Sequence, residues 1–388
     1  MSAVEFGSLF KFIRNGMNVK QDKSGDGLPV TRIETISDAT IDGSRVGFAS
    51  LAEADCRDWL LEPGDILFSH INSVEHIGKC AVYRGEPKTL VHGMNLLCLR
   101  SDLAKLLPEF AIYLIRSKAF RQRLSNFINK AVNQASVSIG NLKAIPVTVP
   151  PLAEQRRIAE ILEKADALRN ERDAALAQLD ALTRSMFLDM FGDPATNPKG
   201  WRVLALENVA ATTSGGTPDR AVAEYFGGGI PWVKSGELHQ GVVIASEESL
   251  TERGLAESSA KLMPRGTVLV AMYGATVGAV AVLGIEAATN QAICCVQPTK
   301  ELDADYLVHL LRRLSPSLLA KRVGGAQPNL SQDLLRRLRV PVPPLEVQRR
   351  FARRIANVAE LKVQYDASRT ELDGLSASLQ HRAFRGEL

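Results

Sequence analysis

The chain has 388 residues, of which 45% are hydrophobic and 23% are charged. This is the composition of an ordinary globular protein, and the length suits two or three domains. Five cysteines form no C-x-x-C pair, which argues against a disulfide framework and a zinc site and suits a reducing cytosol. The N-terminus has no sustained apolar run, so we expect mature sequence rather than a signal peptide, and a cytoplasmic protein.

The net charge is only +4, but basic residues concentrate in two stretches. Residues 110–153 contain no Asp or Glu, and residues 306–345 contain one, Asp333. Because this bias occurs twice, it favours two polyanion-binding surfaces over two solvated helix faces. The basic residues of the two stretches are Arg116, Lys118, Arg121, Arg123, Lys130 and Lys143, and then Arg312, Arg313, Lys321, Arg322, Arg336, Arg337 and Arg339.

Residues 1–150 are predicted to form a first module. Short β-rich runs at 66–68, 79–83 and 95–100 are separated by Gly, Pro and Asp turns. A helix is predicted near 108–128, with Phe110, Leu114 and Phe120 in its core.

A long helix is predicted over 151–192, because Pro150-Pro151 enforces an extended entry and Gly and Pro follow at 191–200. Its apolar residues recur at intervals of three and four, which predicts a coiled coil interrupted by Arg172. The alternative is a short linker helix that packs on its own module.

Residues 199–343 repeat the plan of the first module, with strands at 266–273 and 292–298 and a helix near 303–322. A second long helix is predicted over 344–388, with a slip in its apolar pattern near Val358–Leu361. The uncharged segment 267–285 is long enough to suggest a membrane span, but its glycines and β-branched residues predict strand–turn–strand. We therefore expect no membrane contact.

The two modules share sequence motifs about 193 residues apart. VPPLAEQRRI at 149–158 matches VPPLEVQRRF at 342–351, and upstream Gln134, Val137 and Ser138 match Gln327, Leu330 and Ser331. The predicted fold class is therefore α+β, with two duplicated α/β modules separated by two long antiparallel helices that form a coiled coil. Two similar modules suggest that two similar targets are bound at once.

Catalytic motifs are absent from the sequence, which contains no GxxxxGK[ST], HExxH or GxSxG. Asp65, Glu86 and Lys88 loosely imitate a nuclease metal site, but the second copy has Thr267 in place of the acid. An enzyme that methylates a flipped adenine needs an aromatic loop such as [DN]PP[YF], whereas here Leu follows Pro-Pro twice. We therefore predict no catalytic residue, metal or cofactor on this chain. A scaffold that binds no nucleic acid remains the third alternative.

Several Gly- and Pro-rich loops carry amide, hydroxyl and basic side chains, which can bond to base edges and phosphates. Taken alone, each Asn or Gln in these loops is more typical of a turn than of a base contact. The residues predicted to contact DNA are Asn72, Asn95, Lys130, Gln134, Ser136, Lys143, Thr217, Lys234, Tyr273, Thr276, Asn290, Gln291, Gln327, Asn329, Arg336, Arg337 and Arg339.

Together these segments resemble the specificity subunit of type I restriction-modification systems. The resemblance covers the whole chain and is carried by the two VPPL motifs, GWRVLALENVA at 200–210, SGGTP at 214–218, LVAMYGATVG with ATNQAICC within 269–295, and GGAQPNLSQDLLRRLRVPVPPL at 324–345. The first copy departs from it: it has Ala-Ser-Val where the second has Pro-Asn-Leu, and it lacks an SGGTP equivalent.

The resemblance implies that each module is a target-recognition domain for one half of a split sequence in double-stranded DNA. The paired helices would set the spacing between the halves and dock two adenine-methyltransferase subunits, with motor-nuclease subunits in restriction systems. S-adenosylmethionine, ATP and Mg²⁺ would belong to those partners. Residues expected to contact the other helix or a partner are Gln155, Arg156, Ile158, Ile161, Leu168, Leu179, Leu182, Gln348, Arg349, Phe351, Ile355, Leu372 and Leu375.

Overall fold

A computed structural model describes residues 3–23, 25–36, 40–131, 134–320, 329–384 and 387. The chain divides into two compact units. Unit 1 comprises Met1–Ala174 with Ala367–Leu388, and unit 2 comprises Ala175–Asp366. Each unit therefore contains one module together with a segment of each long helix.

Unit 1 is built on a four-stranded antiparallel sheet of order β2-β8-β5-β7. Smaller sheets pair β6-β10-β9, β3-β4 and β1-β11. Its strands and helices are β1 Val4–Glu5, β2 Phe10–Asn15, β3 Leu28–Val30, β4 Gly47–Ala49, β5 Ile66–Phe68, β6 Ile71–Asn72, β7 Cys80–Val82, β8 Leu97–Ser101, α1 Pro108–Arg116, α2 Lys118–Ser125, β9 Asn129–Ala131, β10 Gln134–Ser136, α3 Ile139–Lys143, β11 Pro146–Val147 and the first part of α4 Leu152–Phe191.

Unit 2 is built on a five-stranded sheet of order β13-β21-β18-β19-β15 and a four-stranded sheet of order β16-β14-β20-β17, and β12 pairs with β22. Its remaining elements are β12 Arg202–Ala205, β13 Ala210–Ser214, β14 Phe226–Val233, β15 Val242–Val243, β16 Glu248–Leu250, α5 Glu252–Ala256, β17 Leu262–Met263, β18 Val268–Ala271, β19 Val280–Leu283, β20 Ala287–Thr289, β21 Ile293–Pro298, α6 Ala304–Ala320, α7 Gln332–Arg336, β22 Arg339–Val342 and α8 Leu345–Ala383.

The duplication predicted from the motifs is confirmed in the architecture. The antiparallel order β2-β8-β5-β7 of unit 1 matches β13-β21-β18-β19 of unit 2, and the closing pair β1-β11 matches β12-β22. Ser138 caps α3 by accepting a hydrogen bond from Asn141 N at 3.0 Å, and Ser331 caps α7 in the same way from Leu334 N at 3.1 Å. The aligned serines thus start the same helix in each copy.

The predicted helix near 108–128 is two helices, because Ser117 interrupts it and its side chain caps α2 through Phe120 N at 3.2 Å. Phe110, Leu114 and Phe120 lie in the core as predicted. The segment 267–285 forms the hairpin β18–β19, with positive φ at Gly274 and Gly278 in its turn. Among the described residues, no helix combines the length and apolar content needed to cross a bilayer.

In unit 1 the segments of α4 and α8 run antiparallel, because Arg169 pairs with Asp373 at 2.6 Å while Asp173 pairs with Arg369 at 2.8 Å. Arg169 also reaches Asp166 at 3.5 Å. The aspartates of both helices therefore lie on one side of the helix pair. They lie beside basic residues at seam positions, which are the positions on each helix that face the other helix.

In unit 2 the antiparallel direction is the same, because Asp180 pairs with Lys362 and Arg354 contacts the sulfur of Met190. The apolar end of this pair is a cluster of aromatic rings. Phe187, Phe191 and Phe351 have ring centroids 5.0–5.6 Å apart. Polar pairs thus give way to aromatic packing toward the α4 C-terminus.

Several predicted seam leucines lie outside the seam. Leu168, Leu182 and Leu375 are 49%, 46% and 51% exposed, whereas Ile158, Phe351 and Ile355 are buried. Adjacent residues of an α-helix point about 100° apart. A leucine directly before a seam residue therefore lies on one flank of the helix pair, and an aspartate directly after a seam residue lies on the opposite flank. Ile161, Leu179 and Leu372 are partly buried, and Arg156 and Arg349 are exposed.

The repeated glutamine of the two VPPL motifs is buried in both units. Gln155 Oε1 accepts from Leu107 N at 2.9 Å, and its Nε2 donates to Lys105 O at 2.8 Å and Pro150 O at 2.9 Å. Both glutamines are 0% exposed, so they bond to backbone groups of their own unit and not to a partner's surface.

Gln348 makes the same three bonds in unit 2. Its Oε1 accepts from Asp303 N at 2.9 Å, and its Nε2 donates to Glu301 O at 3.0 Å and Pro343 O at 2.8 Å. In each unit one side chain therefore joins the first turn of a long helix to the strand-to-helix loop of its module.

Replacing Gln155 by Met keeps the volume of the side chain but leaves one N–H and two carbonyls without their partner. We expect unit 1 to lose about 2–4 kcal/mol of unfolding free energy, since a fully buried unpaired group costs about 1–3 kcal/mol and these three groups are only partly buried. Denaturant titration measures the loss, and hydrogen exchange in α1 assigns it to unit 1. The exposed Gln122 of α2, changed to Met, is the control. An equal loss of stability in the two variants would contradict the role of the Gln155 hydrogen bonds.

Candidate DNA interface

In unit 2 the antiparallel sheet brings several predicted loops to one edge. Ser214, at the end of β13, pairs with Cys294 near the start of β21, and Ala271, at the end of β18, pairs with Ile293. The loops that leave and enter these strands therefore lie side by side. We call this edge, with residues 214–218, 272–276, 288–292 and 329–331, the loop edge of unit 2.

Close backbone packing fixes the loop edge of unit 2. Gly215 N donates to Ile293 O at 3.0 Å and Gly216 N donates to Thr289 O at 2.8 Å. A Cβ on Gly215 would lie 2.3 Å from Asn290 O, so only glycine fits at this crossing. The two glycines of SGGTP therefore hold the loops 214–218 and 288–292 together.

The predicted contact residues of this edge are close to one another. The Thr217 hydroxyl donates to Gln291 Oε1, and Asn290 N donates to Val233 O at 2.9 Å. Gln291 and Asn329 are exposed, and Thr276 is partly exposed. Tyr273 and Asn329 line a cavity of about 620 Å³, where burial raises the pKa of Tyr273. Gln327 lies outside the described residues.

Lys234 is engaged by acidic neighbours rather than free. Its Nζ contacts Glu247 at 2.8 Å and Glu248 at 2.9 Å, and these hydrogen bonds raise the pKa of Lys234. Glu248 also pairs with Arg220, which stacks over the Trp232 ring at 4.9 Å. Trp232 Nε1 in turn donates to Gly216 O at 3.0 Å. The contacts among Lys234, Glu248, Arg220 and Trp232 therefore extend to the backbone of the SGGTP loop.

Unit 1 contains the same edge, although it lacks an SGGTP motif. Asn15, at the end of β2, pairs with Leu97 at the start of β8, and Met17 N donates to His92 O at 2.7 Å. A Cβ on Gly16 would lie 2.3 Å from Gly93 O. Gly16 is therefore the counterpart of Gly215, and the only sequence signal for it is a glycine directly after the first long strand.

The loop edge of unit 1 consists of residues 15–18, 69–73 and 91–96. Asn95 is exposed there, and Asn72 Oδ1 accepts from Ser73 N at 2.8 Å. The strand β6, which contains Asn72, pairs with β10, and β10 pairs with β9. The backbone of this small sheet brings position 72 together with three further predicted positions, namely Lys130, Gln134 and Ser136.

Two buried histidines lie beneath this edge. His70 and His92 are 6% and 1% exposed, and burial lowers the pKa of each to about 4. Both side chains are therefore neutral at pH 7. His92 Nε2 lies 2.8 Å from Leu96 O, which ties this ring to the loop that precedes β8.

The structure does not bring the remaining basic candidates to the loop edges. Lys143 lies beside Gly7, which precedes β2, at the other end of the sheet. Arg336 pairs with Glu207 at 3.1 Å, Arg337 with Asp333 at 3.2 Å, and Arg339 donates to Val203 O at 3.2 Å. Lys143 therefore lies at the opposite end of the unit 1 sheet from its loop edge. Arg336, Arg337 and Arg339 lie at the opposite end of the unit 2 module from its loop edge.

Several other basic residues are hydrogen-bonded to backbone carbonyls. Arg121 donates to Ile77 O at 3.0 Å, and Arg312 donates twice to Val280 O at 3.1–3.2 Å. Arg313 donates to Arg184 O at 2.6 Å and stacks over Phe187. In the described part of the chain, no group of three or more His, Cys, Asp or Glu residues is arranged to hold a metal ion.

Comparison with known proteins is consistent with this architecture. The family model described as "Type I restriction modification DNA specificity domain" matches residues 1–178 and 198–369. The chain is 30% identical over 373 residues to the putative type I restriction enzyme MjaX specificity subunit of Methanocaldococcus jannaschii, covering 92% of this chain and 86% of that protein. It is 30% identical over 223 residues to the EcoKI specificity subunit of Escherichia coli, covering 54% and 47%.

Two solved structures share the fold at low identity. The type I restriction-modification S subunit from M. genitalium aligns with a TM-score of 0.60 at 17% identity, over 99% of this chain and 96% of that one. A chain from work on complex assembly and conformational transition of the type I R-M system aligns with a TM-score of 0.57 at 18% identity, over 100% and 98%. The predicted fold class is thereby confirmed.

Proposed function

The chain belongs to the type I restriction-modification DNA specificity family, and we propose that each of its two modules recognises one half of a bipartite sequence in double-stranded DNA. The target-recognition domains are residues 1–150 and 199–343, and the spacer helices are residues 151–192 and 344–388. The chain itself is not catalytic. It acts with two adenine-methyltransferase subunits and, in restriction, with motor-nuclease subunits, which supply S-adenosylmethionine, ATP and Mg²⁺ chemistry.

The loop edge carries this proposal. In each unit the same strand ends hold exposed amide side chains on a tightly packed glycine crossing, and unit 2 adds the partly exposed hydroxyls of Thr217 and Thr276. Amides bond bidentately to adenine edges in the major groove, and a fixed loop lowers the entropy cost of such contacts. The more distant basic residues, Lys143, Arg336, Arg337 and Arg339, suit phosphates, which position a protein on DNA without specifying sequence.

Two variants separate base contacts from phosphate contacts. Changing Thr276, Asn290 and Gln291 to Ala should remove selectivity in one half of the recognised sequence and leave the other half intact. Changing Arg336, Arg337 and Arg339 to Gln should weaken binding to all sequences and reduce the salt dependence, by about 0.9 in logarithmic slope per lost phosphate contact. Selection of the full chain against a random duplex library, followed by binding at several salt concentrations, measures both effects.

Each variant is the control for the other. A wild-type chain that selects no split sequence would refute the proposed function. Unaltered selectivity after the loop changes would show that the loop edge does not read bases. An unchanged salt slope after the arginine changes would show that these residues make only their intramolecular contacts and do not bind phosphates.

We further propose that the helix pair sets the spacing between the half-sites. One heptad inserted after Asp173 in α4 and one before Arg369 in α8 would face each other, because these two residues pair. The pair would lengthen by about 10 Å, or about three base pairs, and one module would rotate by about a third of a turn. The selected spacer should lengthen by about three base pairs with unchanged half-sites.

A heptad inserted in α4 alone is the control for spacing, since it breaks the antiparallel register and should abolish selection of a split site. A doubly lengthened chain that still binds DNA with the original spacer would show that the helices are not the ruler.

The exposed leucines of the helix pair support docking of the methyltransferase subunits. Leu168 and Leu375 directly precede the seam residues Arg169 and Ser376, on the flank opposite the aspartates of unit 1. Leu182 and Leu361 are placed likewise in unit 2, where Leu361 is 43% exposed. Each unit thus presents one pair of leucines, which suits one apolar partner helix per unit.

Changing Leu168 and Leu375 to Ser should leave the chain folded, because both are about half exposed, but should release one of two methyltransferase subunits. Two half-exposed leucines that become fully buried on binding contribute about 1.5–3 kcal/mol together, so we expect binding about 10- to 150-fold weaker at that unit. Sedimentation of the reconstituted complex measures the subunit ratio. Val363→Ser is the matched control, since Val363 is 70% exposed on another face of α8. An unchanged ratio of two to one would contradict this docking surface.

A further inference from the structure

The two loop edges share one backbone turn at the start of their longest central strand. In unit 1 Leu96 N donates to Gly93 O at 3.4 Å, and in unit 2 Ile293 N donates to Asn290 O at 3.1 Å. The same carbonyls, Gly93 O and Asn290 O, would lie 2.3 Å from a Cβ placed on the crossing glycine of their unit. Met94 and Gln291, the next residues along the chain, therefore occupy equivalent positions.

The chemistry at this shared position differs between the units. Gln291 is exposed, and the Thr217 hydroxyl bonds to its Oε1 and so orients the amide. Met94 is 46% exposed, although it is a large apolar side chain. Its backbone is fixed, because Met94 N donates to Met17 O at 3.1 Å.

We propose that this position determines one base in each half-site: Gln291 reads an adenine edge, and Met94 contacts the methyl group of a thymine. The proposal rests on the proposed function, since it names what two residues of the loop edges recognise. A Gln amide matches the N6 and N7 atoms of adenine, whereas thymine is the base that offers an apolar methyl in the major groove.

The apolar surface of Met94 stays hydrated in the free protein, and an apolar ligand group that covers it is bound favourably. The other exposed side chains at this edge are polar, whereas Met17 and Ile71 are partly buried. Asn15, Asn18 and Asn95 are all exposed there. Met94 is thus an exposed apolar side chain among exposed amides, and a single methyl group is a ligand of matching size.

Exchanging the two side chains tests the assignment. Met94→Gln and Gln291→Met are prepared separately in the full chain, and each is selected against a random duplex library beside the wild type. Each should change the preferred base at one position of one half-site, and the two variants should affect different halves. Gln291→Met should lower affinity for the original adenine site about 5- to 150-fold, the range for one bidentate base contact.

Deoxyuridine tests the methyl contact directly, because it lacks only the methyl group of thymine. Replacing the assigned thymine should weaken wild-type binding about fourfold, the effect of one buried methyl-sized group, and should not affect Met94→Gln. Leu103→Gln is the matched control: Leu103 is 58% exposed but follows β8 at the opposite end of the sheet, so its change should leave selection unaltered.

Unchanged base preference in both exchange variants, with DNA binding retained, would overturn the proposal while leaving the proposed function intact. A wild-type preference for any base pair other than A·T at the altered positions would also overturn it. Loss of all sequence selection by the wild type would instead refute the proposed function.

Discussion

The buried amide at the start of each long helix is the contact on which the rest of the arrangement depends. Gln155 and Gln348 are fully buried, and each satisfies three backbone groups that lack another partner in the interior. Such groups are costly to leave unpaired, so the direction of each helix is tied to its own module. The first turn of each long helix is therefore fixed to its module within one unit. The repeated motif is thus explained by geometry within each unit.

Much of this organisation could be predicted, because it follows from the spacing of apolar residues and from the prolines and glycines at the ends of helices and strands. Pro151 and Pro344 mark the helix starts to within one residue, and hairpin β18–β19 follows from its glycines. The seam itself was predicted less well. Leu168 and Leu375 fit a spacing of three and four, yet the seam passes through Arg169, which pairs with Asp373 of the facing helix, and through the buried Ser376. Periodicity alone does not distinguish adjacent positions on a helix.

The loop edge was predictable only in part. In unit 2 its residues lie in recognisable loops, whereas in unit 1 the crossing at Gly16 is visible only from strand pairing. Charge was similarly ambiguous. Arg121 and Arg312 contribute to a basic segment of sequence, but each donates to a backbone carbonyl instead of standing free. The number of basic residues in a segment does not show whether an arginine binds a phosphate or a backbone carbonyl, since both groups accept hydrogen bonds from a guanidinium.

Unit 1 is built from segments at both ends of the chain, and this has a consequence during synthesis. Ala383 is part of its core, and the Phe384 ring lies 5.6 Å from the ring of Phe110, which is 274 residues earlier in the chain. Unit 2 is a single continuous stretch, so all of its residues emerge from the ribosome before the last part of unit 1. Domains generally fold as units in the order of their synthesis. Here the first module to emerge is the last to be completed, and a chain that stops early lacks the final side chains of its first core.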